Sequence, residues 1–329
     1  MELPAEDLEL VHALQIAPRA TWTQLSAILG RHPATLAARW ERLRTEGYTW
    51  VTAHAGTVGG DGCAAFIGVE CLPGRREEVL GRLCAMAPIA TVEESARDWD
   101  LRLTALARSW QEMSRDVLAA VRQDPGVARV RMNVVTRLFV TGNHLRLDVL
   151  SAQQQRDLQA FHPRATREPG STPPAMDALL RVLQNDGRAT SAQIAEATGS
   201  HPTTAMRHLR LAVETGLVHL RCELAQEFSG YPVACQWYVR VAPGQLQSAV
   251  EYLRGFRTLR LCASTTGDTN LTFLLWLRSP EAVLGVESGL QSAASSVQVV
   301  ESDVGVRTHK RMGWLLREDS RATGQVVTQ

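Results

Sequence analysis

Hydrophobic positions in the first fifty residues recur at helical spacing, three times over, with a breaker after each run. Leu8, Val11, Leu14 and Ile16 form one apolar face, and Pro18 ends that helix. Leu25, Ile28 and Leu29 mark a second, short helix over Thr23–Leu29, closed by Gly30. His32 then stands at an N-cap position and Pro33 at the first helical position, where its missing N–H costs nothing. Leu36, Trp40 and Leu43 give a third helix its inward face, and Gly47 stops it. Three helices with a glycine turn between the last two predict a helix-turn-helix. Further on, the period changes. Ala64 to Val69, Ile89 to Glu94, Leu101 to Ala107 and Val127 to Val135 read as strands, while Glu77 to Met86 and Trp110 to Val121 read as helices. The order β-α-β-β-α-β predicts a ferredoxin-like domain.

The pattern then repeats. Arg19-Ala20-Thr21 returns as Arg188-Ala189-Thr190, and in the same register Gln24 meets Gln193, Gly30 meets Gly199, His32-Pro33 meets His201-Pro202 and Gly47 meets Gly216. After a slip of one residue it continues through Pro73-Gly74 and Pro243-Gly244, Asp98 and Asp268, and Arg137 and Arg307. The predicted fold class is therefore α+β, with two helix-turn-helix (winged-helix-like) domains alternating with two ferredoxin-like βαββαβ sensor domains. The expected boundaries are 1–57 and 58–145 for the first unit, a linker at 146–174 rich in Pro and Gly, 175–224 and 225–312 for the second, and a C-terminal tail at 313–329.

Composition narrows the function. Hydrophobic residues make up 45% and charged residues 21% of 329, which excludes a disordered or collagenous chain. With no apolar run of about 20 residues and no signal-peptide core, the expectation is a cytoplasmic protein without membrane contact. The six cysteines show neither CxxC pairing nor zinc-finger spacing, so no metal site, cofactor or disulfide framework is expected. No Ser/His/Asp or Cys/His constellation is visible, and the chain is expected not to be an enzyme. A net charge of +1 is modest for a nucleic-acid binder, so local charge has to carry any DNA binding.

That local charge lies on the third helix of each unit. His32, Ala34, Thr35, Ala38, Arg39 and Arg42 in one copy, and His201, Thr203, Thr204, Arg207, His208 and Arg210 in the other, are small or basic and suit a DNA groove. Thr35 and Arg39 are assigned to base readout and Arg42 to phosphate. In the alternative reading, these arginines pair with Glu41 and Glu46. Because Arg39 becomes His208 and Ala38 becomes Arg207, the two heads are expected to read different half-sites.

Taken together, Asp186-Gly187-Arg188, Gln193-Ile194-Ala195, Gly199-Ser200-His201-Pro202-Thr203-Thr204, Glu214-Thr215-Gly216, their first-unit counterparts and Asp124-Pro125-Gly126-Val127 resemble the Lrp/AsnC (feast/famine) regulators, here in a tandem-duplicated form. The resemblance implies a sequence-specific transcription regulator acting on double-stranded DNA. It also implies sensor domains that form a homo-oligomer and take an amino-acid or small-metabolite effector. In such proteins the segment between the second and third sensor strands lies beside the effector, which points to Gly267, Asp268 and Asn270, and to Asp98 and Asp100 in the first copy, where Arg97 replaces the glycine. The alternative is an architectural DNA-binding protein without an effector.

Overall fold

The computed structural model describes residues 2–56, 62–142, 145–161 and 175–328. The chain opens with α1 (Ala5–Ile16), α2 (Trp22–Leu29), α3 (Pro33–Thr45) and β1 (Thr49–Ala55). It continues through β2 (Cys63–Cys71), α4 (Arg76–Ala85), β3 (Ile89–Ser95) and β4 (Leu101–Ala107). A helix follows as α5 (Trp110–Glu112), a π turn at Met113–Val117 and α6 (Leu118–Gln123), and then β5 (Val127–Val140). After α7 (Ala152–Gln159) the plan returns as α8 (Met176–Asn185), α9 (Ser191–Thr198), α10 (Pro202–Glu214), β6 (Val218–Leu224), β7 (Val233–Arg240), α11 (Leu246–Arg254), β8 (Leu259–Thr265), β9 (Leu271–Leu277), α12 (Ala282–Ala293) and β10 (Gln298–Arg311). The last strands are β11 (Trp314–Leu316) and β12 (Ala322–Val326).

Two separate ferredoxin-like sheets were expected; the strands instead merge into a closed barrel. β5 and β10 each have 14 residues, twice the length of most of their neighbours, and each serves two partners. The first half of β5 bonds β2, from Val127 to Val134, and its second half bonds β8, from Val135 to Val140. Likewise β10 bonds β7 through Gln298–Val304 and β3 through Gly305–Lys310. The ring runs β10-β3-β4-β2-β5-β8-β9-β7 and back to β10, so that this sheet has no free edge within the ring. Helices cover the outside. Leu83 of α4 and Val121 of α6 pack on Ile67 and Leu103 on one side, and Val250 of α11 and Leu290 of α12 on Trp237 and Phe273 on the other.

The two N-terminal helical layers also exchange parts. β1 pairs antiparallel with β6, Thr49 opposite Leu224 and Ala55 opposite Val218. Ala53 of β1 enters the core beneath α8–α10, whereas Cys222 and Leu224 of β6 enter the core beneath α1–α3. Two arginines fasten the pair reciprocally: Arg19 donates to the carbonyls of Gly187 and Ala189 at 2.5 and 2.8 Å, and Arg188 to those of Pro18 and Ala20 at 2.6 and 2.9 Å.

Two segments without expected structure have some. Residues 146–161 of the expected linker carry α7, whose Leu158 joins Leu147 and Leu150 in the first head's core; 162–174 lie outside the described residues. Residues 313–329 carry β11 and β12, and there the Trp314 ring sits 5.6 Å from that of Trp50 while its Nε1 donates to the Gln184 carbonyl at 3.0 Å.

Lys310, the one lysine of the sequence, is fully buried on β10, where its ammonium donates to the Met86 carbonyl at 2.9 Å. Burial holds its pKa down to about 8. Amine-directed acylation of the native protein is therefore expected to spare Lys310 and to reach it only on unfolding, which peptide mapping along a urea titration would show. Labelling of Lys310 at the native plateau would contradict this placement.

Candidate nucleic-acid interface and barrel chamber

Each helical head is built by the same local signals. Thr21 and Thr190 form capping boxes with Gln24 and Gln193, which start α2 and α9. Gly30 and Gly199 then turn the chain with φ of +65° and +62°, a conformation that L side chains resist. His32 and His201 accept the N–H of Ala34 and Thr203 through Nδ1, and Pro33 and Pro202 open α3 and α10.

The outer faces of the two heads differ sharply. In the first head, Ala34, Thr35, Ala38 and His32 are exposed, but the arginines turn toward α1. Arg39 meets Glu6 at 2.5 Å and Asp7 at 2.8 Å; Arg42 meets Asp7 at 2.6 Å and Glu46 at 3.5 Å; Arg31 meets Glu6 at 3.0 Å. The Asp7 side chain is only 1% exposed, so its two arginine partners neutralise a buried carboxylate. The partner acids on α1 were not anticipated: of the pairings weighed from sequence, only Arg42 with Glu46 occurs, while Glu41 holds Arg44.

None of this network has a counterpart in the second head. At the offset of the repeat, Glu6, Asp7, Arg39 and Arg42 become Ala175, Met176, His208 and Leu211. On α10, His201, Thr203, Arg207 and Arg210 are exposed, with Thr204 and His208 half-buried. Arg210 leans on Glu214 at 2.6 Å, and among the described residues no carboxylate pairs with Arg207.

The residues expected beside an effector are partly committed to the backbone. Asp100 accepts the Cys71 N–H at 2.7 Å, and Asn270 bonds both the N–H and the carbonyl of Val241. Asp98 is exposed; Asp268 is exposed and pairs with Arg131 at 3.4 Å. Gly267, at φ +111°, lets the chain pass close to the Asn133 amide. Asp268 lines a small cavity of about 50 Å³ with Trp99, Arg102 and Tyr238. The Trp99 ring occupies the space where a side chain at residue 68 would be and lies 4.6 Å from the Arg129 guanidinium.

A larger chamber of about 140 Å³ lies within the barrel, under β1 and β6. His54, Glu93, Arg221, Gln236, Arg260 and Arg311 supply its polar wall. Behind them Glu223, 1% exposed, accepts from Arg221 at 2.5 Å and from Arg260 at 3.0 and 2.9 Å. Desolvation pushes the Glu223 carboxyl up, but Arg221, Arg260 and Arg311 outweigh it and hold the group at about 2. Arg260 and Arg311 also lie over the Trp276 ring, at 4.4 and 5.1 Å. Sequence reading missed this cluster because each strand contributes one or two of its members. They meet only when the barrel closes.

Comparison with known proteins completes the picture. Residues 178–219, which run from within α8 through α9 and α10 to the start of β6, match a model described as winged helix-turn-helix DNA-binding. No curated protein sequence matches the chain. Among solved structures, the siroheme decarboxylase NirDL superposes with a TM-score of 0.62 at 14% identity, covering 93% of both chains. NirDL in co-complex with an iron-uroporphyrin III analogue gives 0.56 at 16%, again over 93% of each. E. coli AsnC covers 41% of this chain and 93% of its own, at 16% identity and a TM-score of 0.36. At such identities the likeness is one of fold.

These matches correct one expectation. The chain was expected not to be an enzyme, because no catalytic motif is visible in sequence; yet the architecture it shares along nearly its whole length is that of an enzyme. A helix-turn-helix segment therefore does not mark this fold as non-catalytic, and the polar residues of the chamber are scattered one or two to a strand. Among the described residues no helix is long and apolar enough to cross a membrane, and no three His, Cys, Asp or Glu side chains are grouped to hold a metal.

Proposed function

We propose that this protein is a sequence-specific DNA-binding regulator of the duplicated Lrp/AsnC type, in which the second head carries most of the readout. One observation carries the reading: the segment that matches a DNA-binding model is the head whose α10 face keeps Arg207 out of ion pairs. Arg207 and His208 would reach base edges, Thr203 and Thr204 would lie at the helix N-terminus near the duplex, and Arg210 would meet phosphate. The first head, its arginines bound to Glu6 and Asp7, would contact DNA mainly through Thr35 and the backbone near His32. Arg207→Ala is expected to weaken operator binding by about 1–3 kcal/mol, and Arg39→Ala by much less, in salt-titrated anisotropy on a duplex chosen by genome-wide mapping. Equal binding by wild type and Arg207→Ala would sink the assignment. Assembly into homo-oligomers is part of this proposal, and light scattering checks it.

A second reading is favoured by the whole-chain likeness to a siroheme decarboxylase and by the arginine-lined chamber: an enzyme acting on a carboxylate held in the barrel. Siroheme itself is far larger than a cavity of 140 Å³ and would have to enter from the mouth. Anaerobic incubation with siroheme, read by mass spectrometry for lost carboxyl groups, tests it; an unchanged mass removes siroheme as substrate.

A further inference from the structure

The barrel chamber has one charged end and a wall that is elsewhere apolar apart from Gln236 and three threonines, Thr91, Thr104 and Thr141. Phe66, Leu106, Leu138, Leu261 and Leu274 form the apolar part. At the charged end the guanidinium groups of Arg221 and Arg260 pair with the carboxylate of Glu223, and the charge of Arg311, whose own bonds go to the Leu224 carbonyl, Gln226 and Thr308, acts on it as well. The neighbouring acids, Glu93 and Asp303, both face Arg102, at 3.8 and 3.3 Å. Four arginines, Arg102, Arg221, Arg260 and Arg311, thus share three carboxylates, Glu93, Glu223 and Asp303, which leaves an excess positive charge inside the protein that is costly unless an anion joins it. Burial holds Arg221 and Arg311 down to about 10, as expected for arginines short of negative partners. Arg221 is itself 7% exposed, and its Nε has no partner. Gly142 passes close beside it, since any side chain at residue 142 would collide with its guanidinium.

A second unmet polar atom belongs to a residue of the same wall. His54 lies 3.1 Å from the Ala55 carbonyl through Nδ1; a carbonyl can only accept, so Nδ1 carries the proton and Nε2 is left as an acceptor. Burial, followed by the charge of Arg221, holds the imidazole at about 3, so it stays neutral. Nε2 is buried and has no partner. A ligand that satisfies this wall must therefore bring a carboxylate for the arginines and one hydrogen-bond donor for His54. An ammonium would bring three donors and a positive charge into a wall that already carries Arg221, Arg260 and Arg311. A hydroxyl brings a single donor. The volume is close to the about 150 Å³ of an engineered apolar cavity that takes benzene, which sets the ligand's body at about six carbon atoms.

We infer that the chamber binds a small 2-hydroxy acid with a compact apolar body, its carboxylate on Arg221, Arg260 and Arg311 and its hydroxyl donating to His54 Nε2. The inference shares the chamber with the enzymatic reading but needs no turnover, so an inert siroheme assay leaves it standing, and its own failure leaves the DNA reading untouched. β6 carries Arg221 and follows α10 after three residues, so an occupied chamber is wired to the reading head.

Calorimetric titration of the full chain with 2-hydroxy-4-methylpentanoate, 4-methylpentanoate and leucine tests it. The hydroxy acid is expected to bind, with the analogue lacking the hydroxyl at least tenfold weaker and leucine weaker still. Leu138→Trp, which fills the chamber without changing charge, is expected to abolish binding while circular dichroism is preserved. The ranking of the three ligands on wild type alone decides the matter if that variant fails to fold. No heat with the hydroxy acid, equal binding of its deoxy analogue, tighter binding of leucine, or undiminished binding by a folded Leu138→Trp would each overturn the inference.

Discussion

Glu223→Gln is expected to be among the most damaging single substitutions in this protein, at about 3–5 kcal/mol of stability, because it leaves buried arginines without their shared partner. The carboxylate is 1% exposed and bonded to both Arg221 and Arg260, so water offers little relief. The same residue shapes the acid limb of stability. Its folded pKa, about 2, lies below the unfolded value of about 4.3, so the unfolded chain binds the extra proton between these values. Its contribution is complete above the unfolded value and is lost as pH falls toward 2. Urea melts of wild type and variant at pH 7 and pH 3 measure both effects: the difference should be large at pH 7 and smaller at pH 3. A variant within about 0.5 kcal/mol of wild type at pH 7 would show that the cluster is not held by this carboxylate.

The second large effect is expected at the C-terminus. Trp314 is 7% exposed, packs on Trp50 of β1 and donates to Gln184 at the end of α8, so one side chain touches parts of both heads. Trp314→Ala should cost about 3–5 kcal/mol, the usual range for a buried aromatic truncated to alanine. Trp110, 54% exposed, is the control, and Trp110→Ala should fall within about 0.5 kcal/mol of wild type. Hydrogen exchange should show faster opening at the ends of α8 and β1 in the Trp314 variant. Unchanged exchange there, together with an unchanged melt, would mean that β11 and β12 do not clasp the heads.

How far the sequence speaks depends on how far apart the partners lie. The heads were legible because their signals are local: Thr21 to Gln24, Gly30, and His32 to Pro33 act within a few residues, and all recur at Thr190, Gln193, Gly199, His201 and Pro202. The strands were legible from alternation. Barrel closure was not, because Val135 finds Thr265 and Gly305 finds Ser95 across more than a hundred residues, and a half-strand overhang leaves no mark in a period of two. Glu6 and Asp7 read as ordinary acids in the first turn of a helix, where the dipole favours them; their reach to Arg39 and Arg42 depends on how α1 packs on α3. The chamber was hidden for the same reason. His54, Arg221, Arg260 and Arg311 sit on four strands far apart in the chain, and nothing within any one strand marks its residue as part of a shared cluster.

The exchange of β1 and β6 between the heads also bears on how the chain is made. When Thr49 emerges from a ribosome, the strand that will cover it, ending at Leu224, has not been synthesised. At about 5–20 residues per second the first head waits about 10–35 s for Cys222 and Leu224 to reach its core. Over that interval its apolar underside is open to solvent and to other nascent copies. The two halves therefore mature together and late, and a nascent chain interrupted between them would hold a head with its floor missing.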